Sequence, residues 1–175
     1  IITDNLIDIK DDGSFRLNQS FFDYSTGLKM INKKFENLFG KKARDPNLEP
    51  LTQFYMDIAS SIQSVTEDII IKITRKLSEE YKISNLCLAG GVALNCVANG
   101  KIYKDGNFKN MWIQPAAGDA GGALGAALLI WYDFLGKDRK INYKSDSMQG
   151  SYLGPSYNQD EIERELTKLN SIYKT

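Results

Sequence analysis

Residues 86–95 are Leu-Cys-Leu-Ala-Gly-Gly-Val-Ala-Leu-Asn, and the fold class of the 175-residue chain is most clearly predicted from them. It begins as a short apolar strand, residues 85–89, which ends at the glycine pair Gly90-Gly91. The residues that follow, 92–102, are compatible with a helix. Adjacent glycines directly after a strand let the backbone turn sharply and come close to a ligand that any Cβ would push away. The pattern is therefore typical of a strand–turn–helix segment at which a ligand can bind.

A helix that begins at this turn directs its free N–H groups and the positive end of its dipole at one point, which suits a phosphate or the polar edge of a nucleotide. Asn95 lies about one turn into the expected helix and can hydrogen-bond a ribose or a phosphate. We therefore expect Gly90, Gly91 and Asn95 to hold a nucleotide, although a tight turn that binds nothing fits these residues equally well. The stretch lacks the third glycine of a dinucleotide-binding fingerprint and the Gly-Lys-Ser/Thr of a P-loop.

A second glycine-rich stretch, residues 114–127, is Gln-Pro-Ala-Ala-Gly-Asp-Ala-Gly-Gly-Ala-Leu-Gly-Ala-Ala and follows an expected strand at 110–114. Asp119 stands where the chain turns into an apolar helix expected over 120–135, which we predict to be buried. Glycine costs about 1 kcal/mol per helical position relative to alanine, so the glycines here imply close approach of a ligand or of another helix. Asp119 fits an N-cap or a ligand of a hard or borderline metal ion, and its two carboxylate oxygens allow both roles.

Strand, helix, strand and helix follow one another within about 50 residues, which is the order of an α/β unit. Ligands bind such sheets at the carboxyl ends of the strands, so we expect both loops to open onto one crevice. Its walls are glycines, including Gly118 from the second loop, and one carboxylate, Asp119. The sequence therefore predicts a nucleotide or phosphoryl site with a candidate metal ligand.

The first half of the chain is predicted to be scaffold. Residues 6–17 indicate a hairpin that turns at Asp-Asp-Gly, residues 11–13. Helical spacing of apolar residues within 21–39 ends at Gly40. Residues 51–81 carry apolar side chains every three or four positions, which predicts a long amphipathic helix.

The domain boundary is predicted at Gly136, a glycine in helix-stop position. Residues 1–136 form the expected nucleotide-binding unit, and 137–175 are a polar connecting segment with a terminal helix at 160–169. The candidate N-caps of that helix are Ser156 and Asn158.

Composition excludes several classes of function. Lys plus Arg and Asp plus Glu both number 22, so no broad basic field favours nucleic acid or an anionic membrane. No apolar run approaches the roughly 20 residues of a membrane span, and the start has no secretory pattern, so we expect a cytoplasmic protein. Histidine is absent, which excludes a Ser-His-Asp triad, a Cys-His pair and a histidine-bearing zinc site made by this chain alone. Cys87 and Cys96 are expected to be reduced core residues.

The two glycine-rich stretches closely resemble the NodU/CmcH-type O-carbamoyltransferases. The resemblance continues through Asp-Asp-Gly-Ser-Phe (11–15), Phe-Gly-Lys-Lys-Ala-Arg (39–44), Asp-Ile-Ala-Ser-Ser-Ile-Gln (57–63) and Gly-Ser-Tyr-Leu-Gly-Pro-Ser-Tyr (150–157). Members of this family have an N-terminal actin-like ATPase domain, of ribonuclease H-like fold and related to the tRNA threonylcarbamoyltransferases. A YrdC-like part makes carbamoyl adenylate from carbamoyl phosphate and ATP. The first part then transfers the carbamoyl group to a hydroxyl of a small acceptor such as a sugar or a natural product.

The resemblance implies an α/β actin-like subdomain, with long helices packed on a mixed sheet, from the C-terminal part of that domain. It also implies that Gly90, Gly91 and Asn95 are the nucleotide-binding turn and that Asp119 is the metal-binding carboxylate. In the family this carboxylate normally joins two histidines of an earlier His-x-x-x-His helix and binds a divalent metal, expected to be iron. Without histidine, this chain is expected to be a piece of the larger enzyme, inactive by itself, with the metal bound only in the complete protein.

Two other classes of function remain open from the sequence. One is a different actin-like phosphotransferase, such as a sugar kinase or a small ATPase, which the glycine turn alone would also fit. The other is a binding module without catalysis. The missing initiator Met before Ile1 and the end at Thr175 just after a helical stretch fit a piece of a longer chain, but they fit a trimmed terminus or a removed tag as well, so the ends alone decide little.

Overall fold

The computed structural model describes residues 1–141 and 146–174 of the chain. These residues form two compact units, Ile1–Leu124 and Gly125–Thr175. The predicted α/β class is confirmed, because helices alternate with short strands. The expected single mixed sheet is wrong: the described residues form two separate two-stranded sheets, one antiparallel and one parallel. The domain boundary predicted at residue 136 stays a prediction.

The first sheet is the predicted N-terminal hairpin. After a one-turn helix α1 (Ile2–Asn5), strands β1 (Ile7–Ile9) and β2 (Phe15–Leu17) pair antiparallel. The turn between them contains Gly13 at φ +83°, where a Cβ would lie 2.5 Å from the backbone nitrogen of Ile73. Glycine at this turn therefore lets the hairpin pack directly against the helix that carries Ile73.

The helix expected within residues 21–39 is shorter than the spacing indicated. Helix α2 covers only Lys33–Phe39, because residue 31 first pairs with residue 22 in an antiparallel bridge. Asn32 then accepts the N–H groups at the start of the helix and sets its beginning. Gly40, at φ +72°, ends it as predicted.

The long amphipathic helix is confirmed. Helix α3 (Gln53–Tyr81) has 29 residues and packs against α4 (Cys96–Asp105). The core of this unit includes Ile69 of α3 with Ala98 and Ile102 of α4, all nearly inaccessible to water.

An ion pair joins α3 and α4 at one end of their contact. Arg75 binds both carboxylate oxygens of Asp105, with its Nε 2.9 Å from Oδ2, and this interaction lowers the pKa of Asp105 below its ordinary value.

The second sheet is the predicted strand pair on either side of α4. Strands β3 (Asn85–Leu88) and β4 (Asn110–Ile113) are parallel and hydrogen-bonded to each other. The expectation that both cysteines are core residues is wrong, since Cys87 and Cys96 are free and exposed. Side chains alternate between the two faces of a strand, so the buried Leu86 leaves Cys87 on the opposite, uncovered face.

Helix α5 (Gly121–Leu129) continues directly into a π-helix at Ile130–Phe134, and Gly136 follows at φ +57°. The prediction that this apolar helix is buried is wrong, because none of its residues is buried and Trp131 is 51% exposed. High hydropathy predicts burial only where a covering surface exists, and the described residues provide none.

The unit that begins at Gly125 has little core of its own. None of its described residues, 125–141 and 146–174, is buried. Its terminal helix α6 (Gln159–Lys168) is the predicted one, and its cap is Asn158, which forms a reciprocal capping box with Glu161. No helix in the described parts of the chain has both the length and the apolar character that crossing a bilayer requires.

Candidate functional site

The two glycine-rich turns lie side by side. The backbone N–H of Gly90 donates to the carbonyl oxygen of Ala117 at 2.8 Å, and the N–H of Gln114 donates to the carbonyl of Leu88 at 3.0 Å. These bonds continue the pairing of β3 and β4 beyond the ends of both strands. The adjacency predicted for the two loops is therefore confirmed, and Gly90, Gly91 and Gly118 are all in the paired turns.

Gly90 and Gly91 differ in what the fold requires of them. Gly90 has φ +95° and ψ 162°, a conformation essentially restricted to glycine. Gly91 begins a single 3-10 turn, Gly91–Leu94, and has no such conformation. A Cβ added at either position would meet no protein atom within 4 Å. The space in front of both glycines is therefore open, and the fold itself does not need Gly91 to be glycine.

The structure corrects the expected position of Asn95. Asn95 does not lie one turn into a helix that begins at the glycines; it is the N-cap of α4, which begins at Cys96. The Oδ1 of Asn95 accepts from the N–H of Ala98 at 3.1 Å, because a cap must satisfy the free donors of the first turn. Contact of Asn95 with a nucleotide stays a prediction.

A polar network that the sequence did not predict supports Asn95 from α3. Gln63 exchanges two hydrogen bonds with Asn95, and its Nε2 also donates to Oε1 of Glu67 at 2.8 Å. Glu67 is only 6% exposed and pairs with Lys101 of α4. The hydrogen bonds from Lys101 and then from Gln63 lower the pKa of Glu67 below its ordinary value, so Glu67 is a buried, charged anchor.

A second unpredicted residue supports the 3-10 turn itself. Asn99 of α4 is 7% exposed, and its Nδ2 donates to the carbonyl oxygen of Ala93 at 2.7 Å. The available signal for Gln63 and Glu67 was their spacing of four on one helix face. For Asn99, the signal was its position three residues before Ile102, which places this polar side chain on the buried face of α4.

The second turn presents Asp119 to solvent. Within the described residues its carboxylate has no hydrogen-bond partner, and the backbone carbonyl of Asp119 accepts the N–H of Gly122 at 3.1 Å. The side-chain N-cap considered for Asp119 is therefore wrong. One glycine of this stretch is explained locally, because a Cβ at Gly121 would collide with the carbonyl oxygen of Ala116.

A metal ion does not fit the described residues alone. Across residues 1–141 and 146–174, no three His, Cys, Asp or Glu side chains come together as a metal-binding group. Asp119 is a single exposed carboxylate, and one carboxylate does not hold a transition metal. The metal-ligand role of Asp119 stays a prediction that depends on ligands from outside this chain.

The family described as Carbamoyltransferase N-terminus matches residues 1–128. Uncharacterized protein sll1178 of Synechocystis sp. is 57% identical over 166 residues, which cover 95% of this chain and 27% of that protein. Nodulation protein NolNO of Sinorhizobium fredii is 42% identical over 118 residues, covering 67% of this chain and 17% of the relative. The tRNA N6-adenosine threonylcarbamoyltransferase of Halalkalibacterium halodurans is 36% identical over 80 residues, covering 45% of this chain and 21% of that enzyme. The chain thus spans less than a third of the length of each of these relatives.

Proposed function

This chain belongs to the Carbamoyltransferase N-terminus family, and we propose on that basis that it is part of an O-carbamoyltransferase. The complete enzyme transfers a carbamoyl group from carbamoyl phosphate, through carbamoyl adenylate made with ATP, to a hydroxyl of a sugar or natural product. The described chain contributes one wall of the site that holds the adenylate. The acceptor oxygen attacks the carbamoyl carbon, AMP leaves, and the proton of the hydroxyl passes to a general base.

One observation carries the proposal: the hydrogen bond between Gly90 and Ala117 joins two glycine-rich turns at the carboxyl ends of paired parallel strands. Ligands of open α/β sheets bind at such ends. Gly90 and Gly91 have open space in front of their α-carbons, so a phosphate can approach their backbone. Gly118 extends the same wall from the second turn. Holding the adenylate in one orientation is how this wall promotes attack by the acceptor.

The fold and the domain position are part of the same proposal. The similarity to a tRNA N6-adenosine threonylcarbamoyltransferase over 80 residues supports an actin-like nucleotide-binding fold. We assign residues 1–136 to the C-terminal subdomain of that fold and residues 137–175 to a segment that leads towards a YrdC-like part. The absence of buried residues among 125–141 and 146–174 supports packing of this segment against further protein.

Asp119 is proposed as one ligand of a divalent metal, iron by family resemblance, in the complete enzyme. Its solvent-exposed carboxylate, free of hydrogen bonds within the described chain, supports this assignment. The remaining ligands come from outside this chain, since it has no histidine. The balanced charge supports small-molecule substrates over nucleic acid or membrane as partners, and a cytoplasmic location belongs to the same proposal.

The proposal is tested with the complete protein, carbon-labelled carbamoyl phosphate and ATP. Labelled carbamoyl adenylate is expected first, followed by label on an acceptor hydroxyl when a panel of sugars is added, with release of AMP. A parallel reaction with γ-phosphate-labelled ATP is the control. Phosphate label on the acceptor would instead establish an actin-like kinase, and no binding of ATP or ADP would establish a module without catalysis. Residues 1–175 alone are expected to give no turnover.

A further inference from the structure

A pair of side-chain amides joins the long helix α3 to the end of the first glycine turn. The Nδ2 of Asn95 donates to Oε1 of Gln63 at 2.9 Å, and the Nε2 of Gln63 donates to Oδ1 of Asn95 at 3.0 Å. The two amides thus form a closed contact with two hydrogen bonds. Both side chains are half-buried, so water competes only partly for these groups.

The neighbours of this pair fix which end of each amide faces which partner. The carboxylate of Glu67 only accepts hydrogen bonds, so the Nε2 of Gln63, 2.8 Å from Oε1 of Glu67, must face it. The backbone N–H of Ala98 only donates, so the Oδ1 of Asn95, 3.1 Å away, must face that group. Rotating either amide by half a turn would place donor against donor or acceptor against acceptor. The orientation of both amides is therefore unique.

The anchor of the pair is a buried charge. Oε2 of Glu67 pairs with Lys101 of α4, while Oε1 holds Gln63. Hydrogen bonds to an ionised carboxylate are stronger than those between neutral groups. Both N–H groups of the Gln63 amide are used, one by Glu67 and one by Asn95. The position of Asn95 is therefore set by α3 and α4 rather than by the glycine turn alone.

We propose that Gln63 is a positioning residue of the nucleotide site, which holds Asn95 so that a single amide N–H is left to bind the ligand. This inference rests on the proposed function, because it takes the turn from Gly90 to Asn95 as the nucleotide-binding turn. The Oδ1 of Asn95 already accepts hydrogen bonds from Gln63 and Ala98. The Nδ2 of Asn95 has two N–H groups, and one of them donates to Gln63. The group that Asn95 binds must therefore be an acceptor, namely an oxygen of a phosphate or a ribose.

The substitution Gln63→Met in the complete protein removes the amide and keeps the length of the side chain. The matched control is Gln53→Met, since Gln53 makes the same contact four residues along α3, with Asp57 at 2.7 Å, in an exposed position. Affinity for AMP and adenosine is measured by calorimetry, and KM and kcat of the transfer step are measured separately with carbamoyl adenylate as the varied substrate. Gln63→Met is expected to weaken AMP binding about tenfold or more and to raise KM more than it lowers kcat. Gln53→Met is expected to change neither.

A double-mutant cycle with Asn95→Ala separates positioning from general damage to the fold. In the Asn95→Ala background, Gln63→Met is expected to cause no further loss of affinity, and additive losses would overturn the inference. A loss confined to AMP indicates a phosphate oxygen, and a loss shared with adenosine indicates a ribose oxygen. Either result supports an acceptor on the ligand.

The outcomes separate this inference from the proposed function. A wild-type protein that binds neither ATP nor AMP would overturn the nucleotide site itself, and this inference with it. Normal nucleotide binding by a folded Gln63→Met protein would overturn only the role of Gln63. If Gln63→Met does not fold, Gln63→Asn replaces it, because that amide is one methylene too short to reach Asn95 and Glu67 together. The same loss of affinity is expected from Gln63→Asn, and full affinity would overturn the role of Gln63.

Discussion

Replacing Gly91 by alanine tests whether the first glycine turn is a ligand site or only a turn. Gly91 begins a 3-10 turn with an ordinary backbone conformation, and an added methyl group would meet no protein atom within 4 Å. Alanine at a compatible glycine position usually stabilises a fold by about 0.4–1 kcal/mol, because it restricts the unfolded chain. The folded protein is therefore expected to keep or slightly increase its stability.

Ligand binding should respond in the opposite direction. If a phosphate contacts the backbone at Gly91, the new methyl group stands in the space that the ligand uses. Loss of one hydrogen bond to a charged group costs about 1.5–3 kcal/mol, which corresponds to a rise in Kd of about 10- to 150-fold. The same change at Gly90 is less informative, since φ +95° adds about 1–3 kcal/mol of backbone strain to any effect on the ligand.

The assay is calorimetric titration of the complete protein with AMP, the nucleotide portion of the adenylate, together with hydrogen exchange of the amides in the 3-10 turn. The expected result for Gly91→Ala is unchanged or increased protection of those amides with nucleotide affinity reduced at least about tenfold. A variant that binds nucleotide as tightly as the wild type, with its turn intact, would refute the assignment of this turn as a nucleotide site.

Three further predictions concern the scaffold and the second turn. Gly13→Ala should lower the local free energy of unfolding of the hairpin, measured by hydrogen exchange, by about 2–5 kcal/mol from left-handed strain plus a clash with α3. Gly40→Ala, at φ +72° with free space around it, should cost only the strain of about 1–2 kcal/mol, and equal effects would contradict the clash. The pKa of Glu67 lies below its ordinary value of 4.5, so its stabilising contribution is present above that pH and is lost as the pH falls through the lowered value. Thermal melts should therefore show a smaller loss of stability in acid for Glu67→Gln than for the wild type, and parallel curves would exclude Glu67 as the group involved. Asp119→Ala in the complete enzyme should abolish both metal binding and carbamoyl transfer, and it should leave carbamoyl adenylate formation intact. Metal analysis of the purified protein measures the first effect. Undiminished transfer would exclude Asp119 as a ligand.

The features that sequence predicted well depend on short-range order. The hairpin around Gly13, the helix Gln53–Tyr81 and the cap at Asn158 each follow from a periodicity or a turn signal within a few residues. The adjacency of the two glycine turns also followed, because consecutive strands joined by a helix usually pair in parallel.

The features that sequence missed depend on contacts between distant residues. The amide pair of Gln63 and Asn95 joins positions 32 apart. The spacing of four between Gln63 and Glu67 places both on one helix face, but Gln53 and Asp57 have the same spacing, so no local pattern identifies Asn95 as the partner of Gln63. The position of Asn95 was wrong because a 3-10 turn and an α-helix share similar composition, and only the hydrogen bond from Ala98 locates the start of α4. Hydropathy indicated that Trp131 needs burial but could not tell whether a covering surface lies in the described chain.

The pairing of β3 with only one partner has a practical consequence for experiments on residues 1–175. Within the described residues, β3 and its partner β4 each have one edge whose backbone donors and acceptors face no other strand. Such edges promote intermolecular strand addition, so the separated chain is expected to self-associate as its concentration rises. An apparent binding constant measured on that material would then vary with protein concentration, and a dilution series should precede any titration of it.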